Sequence, residues 1–211
     1  MQENELHEIA ANYEKQTVEV WKDMDHFSFG RGIAMEYDLT LSDVETLFNE
    51  ILHEYVRGKR KFWLLGCFIS GLYADVIEED DTITLYPEKY LPLNVAGLGY
   101  RHPRGTLEIV GNTGWWTGRF MTGGEIRIRG NAGRRLGAGM RGGRIVVEGN
   151  AEFGVGEFMK DGEILIKGDA SWIGNEMRGG VIRIVGECEL IAGSRTGGEI
   201  YLLRAGEWVK I

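Results

Sequence analysis

Cysteine and proline are nearly missing from this chain: its 211 residues include two cysteines, Cys67 and Cys188, and three prolines. Two isolated thiols without a C-x-x-C pair make no disulfide framework and encode no zinc or iron–sulfur site, so both read as buried thiols of a reducing compartment. Histidine is sparse too. His7, His26, His53 and His102 are scattered without an H-x-H or H-E-x-x-H pair, and residues 105–197 hold none. Positive charge is in deficit, 24 Lys and Arg against 32 Asp and Glu, so no global field of the chain draws it to nucleic acid. The longest apolar run, FWLLGCFISGLY at 62–73, is too short to cross a bilayer. The opening MQENELHEIA is acidic, unlike a secretory leader. These shortages predict a soluble cytoplasmic protein that holds no metal and has no membrane or nucleic-acid partner.

Glycine is scarce only in part of the chain. Five of the 32 glycines lie in residues 1–96 and 27 beyond, a shift that places a boundary between Pro92 and Tyr100. The first region, 1–96, carries helical grammar. Leu6, Ile9, Ala10, Tyr13, Val20, Trp21 and Met24 recur mostly at three- and four-residue steps. Val44, Leu47, Phe48, Ile51, Leu52 and Tyr55 form a second stripe, with Ser42 and Glu45 as a capping box and Gly58 as the stop. Residues 60–77 read as a buried helix, with Gly66, Ser70 and Gly71 for close packing, or as two short strands. DTITLYP (81–87) alternates like a strand. Asp23, Asp25, His26 and Arg31 cluster as loops between helices often do, a weak basis for an active site.

The second region, 97–211, repeats. Segments begin at Gly105, Gly124, Gly143, Gly162 and Gly180, with a partial sixth at Gly198, so the period is 19 residues three times and then 18 twice. Such a period marks a solenoid. Three apolar columns run through it. Leu107/Ile109, Ile126/Ile128, Ile145/Val147, Ile164/Ile166, Ile182/Ile184 and Ile200/Leu202 make the first. Thr117, Leu136, Val155, Ile173 and Ala192 make the second; Met121, Met140, Met159 and Met177 make the third, which breaks at Arg195. Three inward positions per coil predict a three-sided parallel β-helix of about five to six coils, with the helical region capping its first end. The fold class is α+β.

Recurring glycines mark the corners, where positive φ or close approach is needed, and Asn112, Asn131, Asn150 and Asp169 share one corner that left-handed backbone suits. The sequence GAGMRG (137–142) has the spacing of a dinucleotide-binding loop. It falls instead on repeat corners, with Met140 in the core column and a strand, not a helix, to follow.

The pattern G-x-x-G-x-x-x-G followed by M-x-G-G-x-I resembles the GXGXG β-helix at the C-terminus of the glutamate synthase large subunit, and is similar to the β-helical subunit of formylmethanofuran dehydrogenase. It is complete at Gly111/Gly114/Gly118 and Gly130/Gly133/Gly137 and degraded at Gly149/Glu152/Gly156; Ser171 and Glu189 replace the middle glycine near Gly168/Gly174 and in the last coil. The resemblance covers about residues 100–205. It implies a right-handed β-helix that is non-catalytic and holds other subunits in place, subunits that carry FMN, iron–sulfur or molybdenum or tungsten pterin chemistry. It assigns this chain no catalytic, cofactor or metal residue.

The surface offers two candidate interaction features. Arg141, Lys160 and Arg178 hold equivalent places and stack as a basic ladder, either a solvated face or a seat for an anion or acidic partner. Trp115 and Trp116, with Arg134 and Arg135 at the equivalent places, form with Phe153 and Trp172 an aromatic patch that packs on the helical region or docks a partner. A scaffold that binds other subunits or a second copy is the leading expectation. A β-helix enzyme acting on an anionic or carbohydrate ligand is the alternative, although no paired-carboxylate column supports it. A left-handed acyltransferase helix is excluded by coil length and the missing histidine.

Overall fold

A computed structural model describes residues 2–16, 23–56, 64–90 and 95–211. The first stripe becomes α1 (Glu3–Gln16), which buries Leu6, Ile9, Ala10 and Tyr13 on one face. Val20, Trp21 and Gly58 of the anticipated pattern lie outside the described residues, as does the side chain of Met24. α2 spans Asp23–Tyr37.

The second stripe is also helical, but its capping box is Thr40/Asp43 rather than Ser42/Glu45. The Thr40 hydroxyl accepts the Asp43 N–H, and the Asp43 carboxylate accepts the Thr40 N–H at 2.9 Å, opening α3 (Leu41–Thr46). A π-helical turn, Leu47–Ile51, carries the chain into α4 (Leu52–Val56). Within 60–77 the described residues are helical: α5 (Leu65–Tyr73) is buried on all sides. It crosses α2 at two glycines, where a Cβ on Gly30 would strike the Phe68 carbonyl and one on Gly71 the Phe27 carbonyl.

The glycine-rich region is a parallel β-solenoid of about five turns. Strands β1 (Thr82–Leu85), β2 (Thr106–Ile109), β3 (Glu125–Ile128), β4 (Arg141–Val147), β5 (Asp161–Ile166), β6 (Arg178–Ile184) and β7 (Gly197–Arg204) pair side by side in chain order, all parallel. β8 (Glu207–Lys210) folds back antiparallel on β7. The register stacks Leu107, Ile126, Ile145, Ile164, Ile182 and Ile200, each fully buried. The second and third expected columns are buried as well, up to Ala192 and Met177. Arg195, where the methionine column ends, donates to the Ile211 carbonyl at 3.1 Å. Most of the three columns and most of the buried helical residues form one continuous core, beside a smaller cluster of Phe27, Leu64, Cys67, Ala74 and Tyr100.

The ladder begins before residue 97. β1, expected as a strand within the helical region, is the first rung, and Thr82 pairs with Thr106 across a longer first coil. The outer edge of β1 is occupied by helix side chains. Thr84 N–H donates to Glu45 at 2.5 Å, Asn49 Nδ2 donates to the Thr84 carbonyl at 2.8 Å, and Tyr86 N–H donates to Asn49 Oδ1 at 2.9 Å. Glu45 and Asn49, one helical turn apart, thus stand in for a neighbouring strand and cover the edge.

Asn112, Asn131, Asn150 and Asp169 adopt no left-handed backbone. They form a ladder instead: each side-chain Oδ1 accepts the backbone N–H of its counterpart one coil on, at 2.7 Å from Asn131 and 2.8 Å from Asn150, Asp169 and Glu187. The second column's corner does use positive φ, and at Gly137 a Cβ would also lie 2.6 Å from Ile164 Cδ1, so the core column leaves no room there.

Candidate functional site

The outward cations divide into two kinds. Those on the first side interleave with carboxylates. Arg129 pairs with Glu108, Arg127 with Glu125 at 2.6 Å, Lys167 with Glu148 at 2.7 Å and Arg183 with Glu163, while Arg144 reaches both Glu125 at 3.3 Å and Glu163 at 3.5 Å. Such exposed pairs, between coils except for Arg127–Glu125 within β3, neutralise the face and contribute little each. Arg141, Lys160 and Arg178 differ. Each follows a core methionine and donates its backbone N–H to the preceding coil at 2.8 Å, to Met121, Met140 and Met159 respectively. The three side chains therefore rise from one corner in successive coils, and among the described residues none meets a carboxylate.

This row borders a cavity of about 300 Å³. Trp116, Phe120 and Phe158 supply its aromatic walls, Ala138 and Gly139 its floor, and Arg119 and Arg135 join the three ladder cations. Glu157 is its one carboxylate among the described residues and lies 3.0 Å from Arg135. The Arg119 guanidinium lies 5.1 Å from the Trp116 ring centre and 4.6 Å from that of Phe120. A second cavity, about 470 Å³, shares Phe120 and Arg141 with the first and runs to the helical region, where Phe27, Arg31, Arg101 and Arg104 line it. There Arg31 grips Asp75 with two bonds of 2.6 and 2.8 Å, and Arg104 donates to the Ile77 carbonyl at 2.6 Å.

Besides Gly139, four residues of the first cavity have left-handed backbone: Trp116 at φ 64°, Phe120 at 58°, Arg135 at 59° and Phe158 at 58°. Bulky residues adopt this region at a cost of about 1–2 kcal/mol each. Phe120 is the third residue of a turn closed by Met121 N–H to the Gly118 carbonyl at 3.1 Å, a place that favours glycine. Gly139 holds the same place one coil on, between Phe120 and Phe158. Because phenylalanine tolerates that backbone twice, Gly139 serves space rather than φ: a Cβ there would lie 2.6 Å from the Phe120 ring. GAGMRG is thus a corner and cavity floor, and the strand β4 follows it, not a helix.

The expected surface residues fall into two groups. Trp116, Arg135, Arg141, Lys160 and Arg178 meet in the first cavity. Trp115 and Arg134 do not; Trp115 is half exposed, and the Arg134 guanidinium lies 5.4 Å from its ring. Arg134 also pairs with Glu152 at 3.6 Å. Further along, Phe153 stacks on Trp172 at 5.2 Å and 16°. Of the two tryptophans it is Trp116 that packs toward the helical region, with Phe120, against the Phe27, Cys67 and Tyr100 cluster. The motif glycines Gly111, Gly118, Gly137, Gly156 and Gly174 take positive φ; Gly130, Gly149 and Gly168 instead let adjacent coils approach, and Gly133 lies against Gly114.

Phe120, Phe158 and Arg119 were not anticipated. The signal was present, since Phe120 and Phe158 each precede a core methionine. Arg31 and Arg101 could not be placed by periodicity, because they reach the cavity through tertiary packing. The Asp23–Arg31 cluster does not converge where it can be described: His26 turns to the Tyr13 hydroxyl at 3.2 Å and Arg31 to Asp75, while the side chains of Asp23 and Asp25 lie outside the described residues. Cys67 is buried, but Cys188 is only half-buried, and both are unbridged. Among the described residues no group of three His, Cys, Asp or Glu side chains is placed to hold a metal ion. Among them, too, no helix is long and apolar enough to cross a membrane. No family model matches the chain, and no curated protein is similar to it in sequence.

Proposed function

We propose that this protein is a non-catalytic assembly subunit of the GXGXG β-helix type, which holds the subunits of an oxidoreductase or amidotransferase complex in place. FMN, iron–sulfur or molybdenum or tungsten pterin groups belong to those partners, not to this chain. The observation that carries the reading is the exposed aromatic column formed by Trp115, with Arg134 over its ring, and by Phe153 on Trp172. Trp115 is 45% and Phe153 46% exposed. Tryptophan, arginine and large aromatics are the residues that dominate interface centres. Mounted on stacked coils, they lose little side-chain freedom when a partner covers them. The repeated glycine pattern supports the type of subunit, through its likeness to glutamate synthase and to the β-helical part of formylmethanofuran dehydrogenase.

The test is isolation of the tagged full chain from the organism that encodes it, in low salt, beside a Trp115→Ala/Phe153→Ala variant. The expected result is a stoichiometric complex with redox or amidotransferase subunits that the variant loses while its melting temperature holds. Recovery of the wild-type chain alone, or a variant that retains the same partners, refutes the proposal.

A further inference from the structure

The geometry points to a binding site for a nucleoside di- or triphosphate in the cavity under the basic ladder, with the phosphates on Arg141, Lys160 and Arg178 and the base against Phe120 and Phe158. This inference is independent of the aromatic column on which assembly rests.

Three observations converge. The first is charge that the protein leaves uncompensated. A chain with a net charge of −8 leaves three cations of one cavity, Arg141, Lys160 and Arg178, without a carboxylate among the described residues, while Glu157 in the lining is engaged by Arg135. The sheet face a few residues away answers nearly every cation with a glutamate, so the unanswered row is local and particular. The ladder cations stand one per coil, about 4.8 Å apart. Successive phosphates of one chain can each meet a separate cation, and arginine forks suit phosphate oxygens.

The second is shape. A cavity of about 300 Å³ is of small-ligand size. It is walled by aromatic rings and floored by Ala138 and Gly139, and the missing side chain at Gly139 is what admits the Phe120 ring to that wall. A purely inorganic anion would need only the cations; the aromatic walls call for a ligand with a planar, stacking part.

The third is presentation. Left-handed backbone recurs at these two corners in neighbouring coils, at Arg101, Gly139, Gly154, Trp172 and Glu176 as well, so the repeat sets the φ; what is particular here is that Trp116, Phe120, Arg135 and Phe158 stand on it and all line this one cavity.

The experiment is calorimetric titration of the full chain with ATP, GTP and UTP, and separately with inorganic triphosphate and with adenosine. At least one nucleotide is expected to bind in the micromolar range, about tenfold or more tighter than triphosphate or adenosine, with affinity falling as salt rises. Arg141→Gln/Lys160→Gln, both exposed, should weaken nucleotide and triphosphate alike by about tenfold or more. Phe158→Ala should weaken the nucleotide and leave triphosphate unchanged. Circular dichroism melts establish that each variant is folded. No nucleotide binding below about 1 mM overturns the site. Triphosphate binding as tightly as every nucleotide, or a double glutamine variant with unchanged affinity, overturns it equally.

Discussion

Replacing Ile145 by aspartate and its neighbour Arg144 by the same residue tests the coil register directly. Ile145 is fully buried in β4, stacked between Ile126 and Ile164, and its Cδ1 lies only 2.5 Å from where a Cβ on Gly118 would be. The coils above and below are locked by backbone pairing and cannot collapse into a void. Removing the side chain alone, as in Ile145→Ala, should therefore cost about 3–5 kcal/mol. The aspartate adds an unpaired carboxyl in an apolar column, which costs several kcal/mol more unless it protonates. Arg144 points the other way. Its side chain is 46% exposed and reaches Glu125 and Glu163 at 3.3 and 3.5 Å. Aspartate there loses two screened contacts and puts a third negative charge between two others, a cost of about 1 kcal/mol. Urea unfolding followed by tryptophan fluorescence reads both variants. Arg144→Asp should lower the midpoint slightly; Ile145→Asp should unfold the chain or bring the midpoint near zero urea. Equal midpoints would refute the assignment of inward and outward positions, and with it the columns on which the cation ladder depends.

Asn49→Ala should cost about 1–3 kcal/mol, because it strips both the Thr84 carbonyl and the Tyr86 N–H of their partners at the edge of β1. It should also make the chain associate with rising concentration in light scattering, since that edge becomes open to pairing. His102 should make stability fall with acid. It is fully buried; its Nε2–H donates to the Gly105 carbonyl and Nδ1 accepts from the Tyr73 hydroxyl, both at 3.2 Å, and burial holds its pKa down at about 4. The unfolded chain takes up the proton near pH 6.5, so this contribution is complete above that pH and is lost progressively down to about pH 4, about 3 kcal/mol in all. Melting temperatures of the wild type and His102→Gln across pH 7 to 4.5 check it: the variant should lack this part of the slope.

The repeating half of the fold is legible in the sequence because each structural demand recurs. Ile126, Ile145 and Ile164 announce one inward column by spacing alone, and Met121, Met140 and Met159 announce another. The helical half is legible only as stripes. TLSD and SDVE both satisfy a capping box, and nothing local separates them; tertiary contact does, because Glu45 is engaged with Thr84 and Thr40 is left to cap. The asparagine corner misleads because residue type suggests a backbone state, whereas stacking lets each side chain bond the next coil. At the site, Arg141, Lys160 and Arg178 follow from their equivalent places. The separation of Trp116 from Trp115 does not, since it depends on the left-handed φ of 64° at Trp116 alone. Arg31 and Arg101 enter through the docking of α2 and the first coil, which no periodicity records.

Because the ladder cations are carried one per coil, their spacing is fixed by backbone pairing and not by side-chain choice. Point substitution can remove a charge from the row or exchange its type, but it cannot widen or narrow the gaps. The row can change length only by whole units: inserting a 19-residue repeat between β4 and β5 would add one position, and excising the repeat that begins at Gly143 would remove one. The surface behaves as a ruler with fixed graduations, and the size of what it reads can be reset by counting coils.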